Sequence, residues 1–295
     1  MAIMAAALIV SAQQPQAHSD AALTDAEIKA LVLRAVAMER HAYDSLDLYE
    51  RTERVIKHDG GEKPSDVTSR LVPVGASEIR VELRRNGAPA SPEEIARKWS
   101  FVLDVINMRL NNPDSAVHRE YQRDERRKLS NTKMIDAIAD AFIFHYAGRA
   151  TRDGRPVVVL DYEPNPKFDS SLRFAAGYKK TWGKVWIDEI GGAVVRMEAD
   201  LREDVPFGAG IVAKVYKGAR VELEQAQPFP GAGVWLPTMS IFDINFRKFT
   251  FADSIHRKIY SSDYRRIGLP AESLPLLRKE HALSAGAPAV SAREY

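Results

Sequence analysis

The sequence predicts an α+β chain whose sheet is antiparallel, and three observations carry that prediction. From about residue 142 to 267 one strand-like segment follows another without an intervening helix, and parallel pairing needs long crossovers. Three pairs of turn-forming residues, Asn86-Gly87, Asp153-Gly154 and Gly191-Gly192, stand between apolar arms, as tight hairpins require. Two segments, about 25–42 and 92–110, open with capping boxes and then place apolar residues at helical spacing.

The N-terminal stretch MAIMAAALIVSAQQPQA is apolar through Val10 and then turns polar. Val10-Ser11-Ala12 has the small-residue spacing of a signal-peptidase site, which makes Gln13 the first mature residue. The apolar run is too short to span a bilayer as a helix. No Lys or Arg precedes it, so two readings stay open: a start inside a longer signal peptide, or an apolar N-terminus without that role. The expectation is an exported chain with a signal peptide at 1–12, one domain over 20–268, and a C-terminal tail over 269–295 that is partly disordered.

Thr24-Asp25-Ala26-Glu27 reads as a capping box, and Ile28, Leu31, Val32, Ala35, Met38 and Ala42 follow it on one helical stripe. From Tyr43 the period shortens, and a long strand is expected to end at the Asp59-Gly60-Gly61 turn. Further strands follow, broken at Pro73-Val74-Gly75 and Asn86-Gly87. Ser91-Pro92-Glu93-Glu94 opens the second helix: serine caps, proline takes the first helical position and glutamate completes the box.

That second helix has two apolar stripes. Ile95, Trp99, Val102, Leu103, Ile106 and Leu110 form one; Phe101, Val105 and Met108 form another, nearly opposite. An ordinary surface helix has one apolar face, so this one is either fully buried or faces a ligand cavity. The charged segment HREYQRDERRKLSNTK from His118 mixes both signs, which favours a solvated helix or linker face over a phosphate-binding patch. A short helix is expected to end near Ala141, and a further short helix near Leu274.

Composition and motifs exclude several classes of function. The chain has no cysteine, so it carries no disulfide, thiolate metal site or lipid-anchoring cysteine. Its 42 basic residues against 40 acidic ones argue against a dedicated nucleic-acid binder. No G-x-S-x-G elbow and no H-E-x-x-H occurs. His118, His145 and His256 are scattered, and GAGIVA from Gly208 lacks the strand-to-helix setting that a dinucleotide loop needs. Asp188-Glu189 reads as the approach to a turn rather than a catalytic pair. No catalytic residue, metal ligand or cofactor is expected.

The segment order resembles the LolA-like superfamily of envelope proteins, which includes lipoprotein carriers, outer membrane lipoprotein-sorting proteins and RseB-type sensors. The residues that carry the resemblance are a long N-terminal helix leading into LDLYERTERV, then DGRPVVVLDYEPNP, KVWIDEIGGAVVRMEADL, VWLPTMSIFDINF and IYSSDYRRI, over roughly 24–267. The resemblance implies a strongly curved antiparallel sheet, an unclosed half-barrel, with helices covering its concave face. It implies a periplasmic binding or carrier protein that sequesters a lipidated or hydrophobic ligand there, not an enzyme. On this resemblance the helix at 92–110 is the movable cover, with Phe101, Val105 and Met108, or else Trp99 and Ile106, turned to the ligand. Trp186 is the candidate on the sheet. The alternatives are a sensor that works through contact with an envelope protein and, third, a hydrolase of unrecognised type. Peripheral contact with a membrane, without a transmembrane span, is compatible with either of the first two.

Overall fold

The computed structural model describes residues 21–172, 175–207 and 213–286. The signal-peptide reading at 1–12, most of GAGIVA and the last part of the tail therefore lie outside the described residues.

The first helix, α1 (Asp25–Ser45), starts where the capping box puts it: the Glu27 amide donates to Thr24 Oγ1, and the Thr24 amide donates to Glu27 Oε2 at 2.8 Å. It runs past the expected end and continues as a single 3-10 turn, Leu46–Leu48, so β1 (Tyr49–Lys57) begins later than the sequence reading had it. Leu46 and Leu48 are drawn to a small core of Tyr49, Val234, Leu236 and Tyr264, and that packing overrides their alternating spacing.

Strands β2 (Ser65–Pro73), β3 (Glu78–Arg85) and β4 (Ala88–Pro89) follow. Then come three helices, α2 (Pro92–Asn111), α3 (Ala116–Asp136) and α4 (Ile138–Ala141). The mixed-charge segment is the helix α3, and it is tied to its neighbours by ion pairs: Lys128 Nζ lies 2.5 Å from Asp47 and Arg109 Nη2 lies 3.5 Å from Asp124. The remainder is β5 (Phe142–Arg152), β6 (Arg155–Pro164), the one-turn α5 (Ala175–Tyr178), β7 (Thr181–Asp188) and β8 (Val194–Leu201). It continues through β9 (Val205–Phe207), β10 (Ala213–Val215), β11 (Arg220–Ala226), β12 (Leu236–Lys248), β13 (Phe251–Arg266) and α6 (Pro270–Gly286).

The expected α+β class holds. Thirteen strands form one sheet in the order β4-β3-β2-β1-β13-β12-β11-β8-β7-β6-β5, with β9 and β10 paired to the side of β12. The pairings between neighbours are antiparallel and the two ends do not meet, which is the open sheet of a half-barrel. At the β5–β8 end, α1 buries Ile28, Leu31, Val32 and Ala35 against Val158, Leu160, Val185 and Ile187. At the β2–β3 end, α2 and α6 bury Val102, Ile106, Leu274 and Leu277 against Val72, Val74 and Val81. A fully buried aliphatic side chain contributes about 1.5–3 kcal/mol, so each helix is held chiefly by its stripe. The segment from 270 to 286 is thus a helix with a buried face, longer than the short helix expected near Leu274.

The Gly191-Gly192 hairpin uses its glycines unequally. Only Gly192 is left-handed, with φ 76. The Gly191 amide instead donates to Asp188 Oδ2 at 2.5 Å, and Asp188, fully buried, is gripped through its two oxygens by Arg155 at 2.8 and 2.9 Å. A side chain at Gly192 would collide with Arg34 of α1, whose guanidinium donates to the Glu189 carbonyl at 3.1 Å. The acidic pair before the turn is therefore structural, and the turn itself is a seat for α1.

Candidate functional site

Between α1 and the β5–β8 end of the sheet lies a cavity of about 380 Å³ with an almost wholly apolar lining. Its roof is α1, through Val32, Ala35, Val36 and Glu39, extended by Ile135 of α3 and Ile138 of α4. Its floor follows from strand alternation: registered rows carry Val185, Met197 and Leu223 side by side, and Gly183, Ala199 and Val221 in the next row. On β8 and β11 the alternate residues point away and are charged. Arg196 pairs with Glu198 at 2.7 Å and Glu222 at 2.6 Å, and Arg152 with Glu224 at 2.5 Å. The period of two thus gives this part of the sheet one apolar and one ionic face.

Aromatic rings form the end wall. Phe142 lies 5.0 Å from Tyr162 and 5.2 Å from Tyr178, and Phe144 lies 5.9 Å from Tyr162, measured between ring centroids. Gly183 makes this wall possible: a Cβ there would sit 2.0 Å from the Glu198 carbonyl and 2.4 Å from the Tyr162 hydroxyl. The Tyr162 hydroxyl crosses that space and donates to the Glu198 carbonyl at 2.8 Å. The Tyr178 hydroxyl donates to the Met134 carbonyl at 2.9 Å, and burial pushes its pKa up to about 12. Thr181 Oγ1 donates to the Gly177 carbonyl. Each of these lining hydroxyls spends its proton on the protein's own backbone.

Glu39 is different. It is half-buried on the roof, and among the described residues it accepts one hydrogen bond, from Gln225 Nε2 at 2.6 Å. Burial raises its carboxyl above the ordinary carboxylate range, with the Gln225 hydrogen bond acting in the opposite direction. A second, polar cleft of about 560 Å³ adjoins the cavity and shares Val32, Phe142 and Phe144 with it; Asp25, Lys29, Asp140 and His145 line it.

None of the six residues expected to meet a ligand lines the cavity. Val105 and Ile106 are buried in the α2–α6 core, and Trp99 packs against it. Phe101 and Met108 face outward and are exposed. Trp186 points to the sheet face opposite Val185 and Ile187, beside Arg196 at 5.6 Å from its ring. The roof is α1 rather than α2, because α2 spends its main stripe on β2–β3 and α6, at the other end of the sheet. One sequence signal for Glu39 existed. It falls on the 28, 32, 35, 39, 42 stripe of α1, where every other member is apolar.

His118, His145 and His256 do not converge. His118 Nδ1 lies 3.0 Å from the Arg109 carbonyl, His145 Nε2 lies 3.2 Å from Glu163, and His256 Nδ1 lies 2.8 Å from Asp243. Among the described residues no group of three or more His, Asp or Glu is placed to hold a metal ion, and no helix is long and apolar enough to cross a membrane.

No protein-family model matches the chain, and no curated protein sequence matches it. Solved structures similar to it include a domain described as that of an outer membrane lipoprotein-sorting protein from Vibrio parahaemolyticus, 13% identical, covering 79% of this chain and 91% of that one, with a TM-score of 0.30. They also include a LolA superfamily protein from Nitrosomonas europaea, 9% identical over 82% of this chain and 94% of that one, with a TM-score of 0.30. A DUF1329 family protein from Desulfovibrio piger is 12% identical over 81% of this chain and 92% of that one, again with a TM-score of 0.30.

Proposed function

We propose that this protein binds a hydrophobic ligand, an acyl chain or a comparable apolar group, in the cavity beneath α1, and carries or holds it in the cell envelope. The observation that supports this most is the cavity itself. About 380 Å³ of space with an almost wholly apolar lining is within the range of ligand sites and far beyond a packing defect. Apolar surface gains about 25 cal/mol per Å² on leaving water, so a dry cleft is what a water-insoluble group needs in transit. The site holds no nucleophile paired with a base, which is why binding rather than catalysis is proposed. Export rests on the N-terminal apolar run and its Val10-Ser11-Ala12 spacing.

The test is fluorescence of diphenylhexatriene, a purely apolar probe, titrated with protein freed of co-purified lipid. Saturable binding with one site is expected, and Ala199→Phe, which places a ring in the cavity, should weaken it at least tenfold. Absence of probe binding by the unaltered protein would end the proposal.

One observation favours a second reading, action through a protein contact. Phe101 and Met108, two turns apart on α2, are 49% and 36% exposed. Exposed apolar residues grouped in this way mark contact surfaces. If a partner recovered from an envelope fraction binds F101S/M108S as tightly as the parent chain, this reading is wrong.

A further inference from the structure

We infer that the ligand of the α1 cavity carries an uncharged hydrogen-bond donor, of the hydroxyl or amide class, which meets Glu39, and that amphiphiles with a carboxylate or phosphate head are disfavoured there. The inference rests on the cavity being a ligand site and adds the chemistry of its occupant.

Among the described residues Glu39 is the one acidic or basic side chain on the lining, and α1 contributes it. Gln225, itself buried on β11, holds it in place through a 2.6 Å hydrogen bond to Oε2. Among the described residues no other partner engages it, so Oε1 retains its capacity to accept. The other polar groups of the lining are already committed: the hydroxyls of Tyr162, Tyr178 and Thr181 donate to backbone carbonyls. A ligand polar group brought into this space therefore finds Glu39 as its principal partner.

The charge of the surroundings selects the kind of group. Over the cavity and its adjoining polar cleft, the carboxyl groups of Glu39, Asp25 and Asp140 stand against two basic side chains, Lys29 and His145, and both of these belong to the cleft. Among the described residues no arginine lines either space. Inside the cavity itself an anionic head would lie next to a carboxyl group with no basic side chain on the described lining, since Lys29 and His145 line only the adjoining cleft. A hydroxyl or amide N–H would instead donate to Glu39, so the ligand's proton is paired.

The experiment measures displacement of diphenylhexatriene at about pH 7.5 by decanol and by decanoate, which share a chain length. The protein without substitution should bind decanol at least tenfold more tightly than decanoate. Glu39→Leu should weaken decanol about five- to tenfold while the probe binds no less tightly. Glu39→Gln, which preserves shape and the link to Gln225, should narrow the gap between decanol and decanoate. Probe binding with an unchanged decanol-to-decanoate ratio in both variants would overturn the role of Glu39 alone. Failure of the unaltered protein to bind the probe would overturn the cavity reading, and this inference with it.

Discussion

A carboxyl group on the roof of an apolar cleft has a consequence for stability as well as for binding. Glu39 ionises less readily in the folded chain than in the unfolded one, because burial raises its pKa from the ordinary 4.5. Below that value it is neutral in both states and has no effect. As pH rises through it, the unfolded state releases its proton first, so stability falls until the folded-state value is passed. Glu39→Gln removes this dependence. The melting temperature of the variant relative to the parent should therefore rise as pH goes from about 4.5 to 8, measured by thermal melts without ligand. A difference that stays flat over that range would show that burial does not raise the Glu39 carboxyl. Asp188 is the contrasting case. Its two oxygens are taken by Arg155 and the Gly191 amide, and its role is to shape the turn that seats α1.

At the scale of elements, the helices are assigned by what their stripes find. The α1 stripe was plain in the sequence because one apolar row sits between polar ones. The two stripes of α2 were equally plain, but Phe101 and Met108 of the second row face solvent while Val105 is buried, so the cover that the resemblance implied for α2 is supplied by α1. The C-terminal helix α6 was legible only as a short turn near Leu274, since Pro275 interrupts the pattern. Its contribution is nonetheless that of a core element: Leu277 is 1% exposed among Val72, Val81 and Ile106. Leu277→Ala should cost about 2–5 kcal/mol, read as a lower urea midpoint at constant slope. A loosely attached tail would show less than about 0.5 kcal/mol.

For the molecule as a whole, an open sheet leaves space that no side chain of its own fills. A globular core closes on itself because each face finds a partner. Here the rows of β7, β8 and β11 meet a helix that touches them only in part, and the remainder is cavity. Occupancy should then stabilise the entire fold. At a free ligand concentration of about a hundred times Kd, linkage adds about 2.7 kcal/mol, visible as a raised melting temperature. Ala199→Phe should melt at a temperature that no longer responds to decanol; a response equal to that of the parent would place the ligand elsewhere.

What the sequence determined by itself is local. The capping boxes of α1 and α2, the hairpin turns, the alternation that makes one face of β8 and β11 apolar and the other ionic, and the antiparallel order all follow from interactions within a few residues or between adjacent strands. The family resemblance added the open form of the sheet. What only the tertiary structure decided is the pairing of distant surfaces. Helical periodicity states that a face is apolar, and says nothing of which of two sheet ends will cover it. In the structure the α1 stripe packs on Val158, Leu160, Val185 and Ile187, Gly192 leaves room for Arg34 at the β7–β8 turn, 158 residues away in sequence, and Gly183 leaves room for Tyr162. Those long-range fits placed Glu39, one residue of an otherwise apolar row, inside the cavity rather than in water.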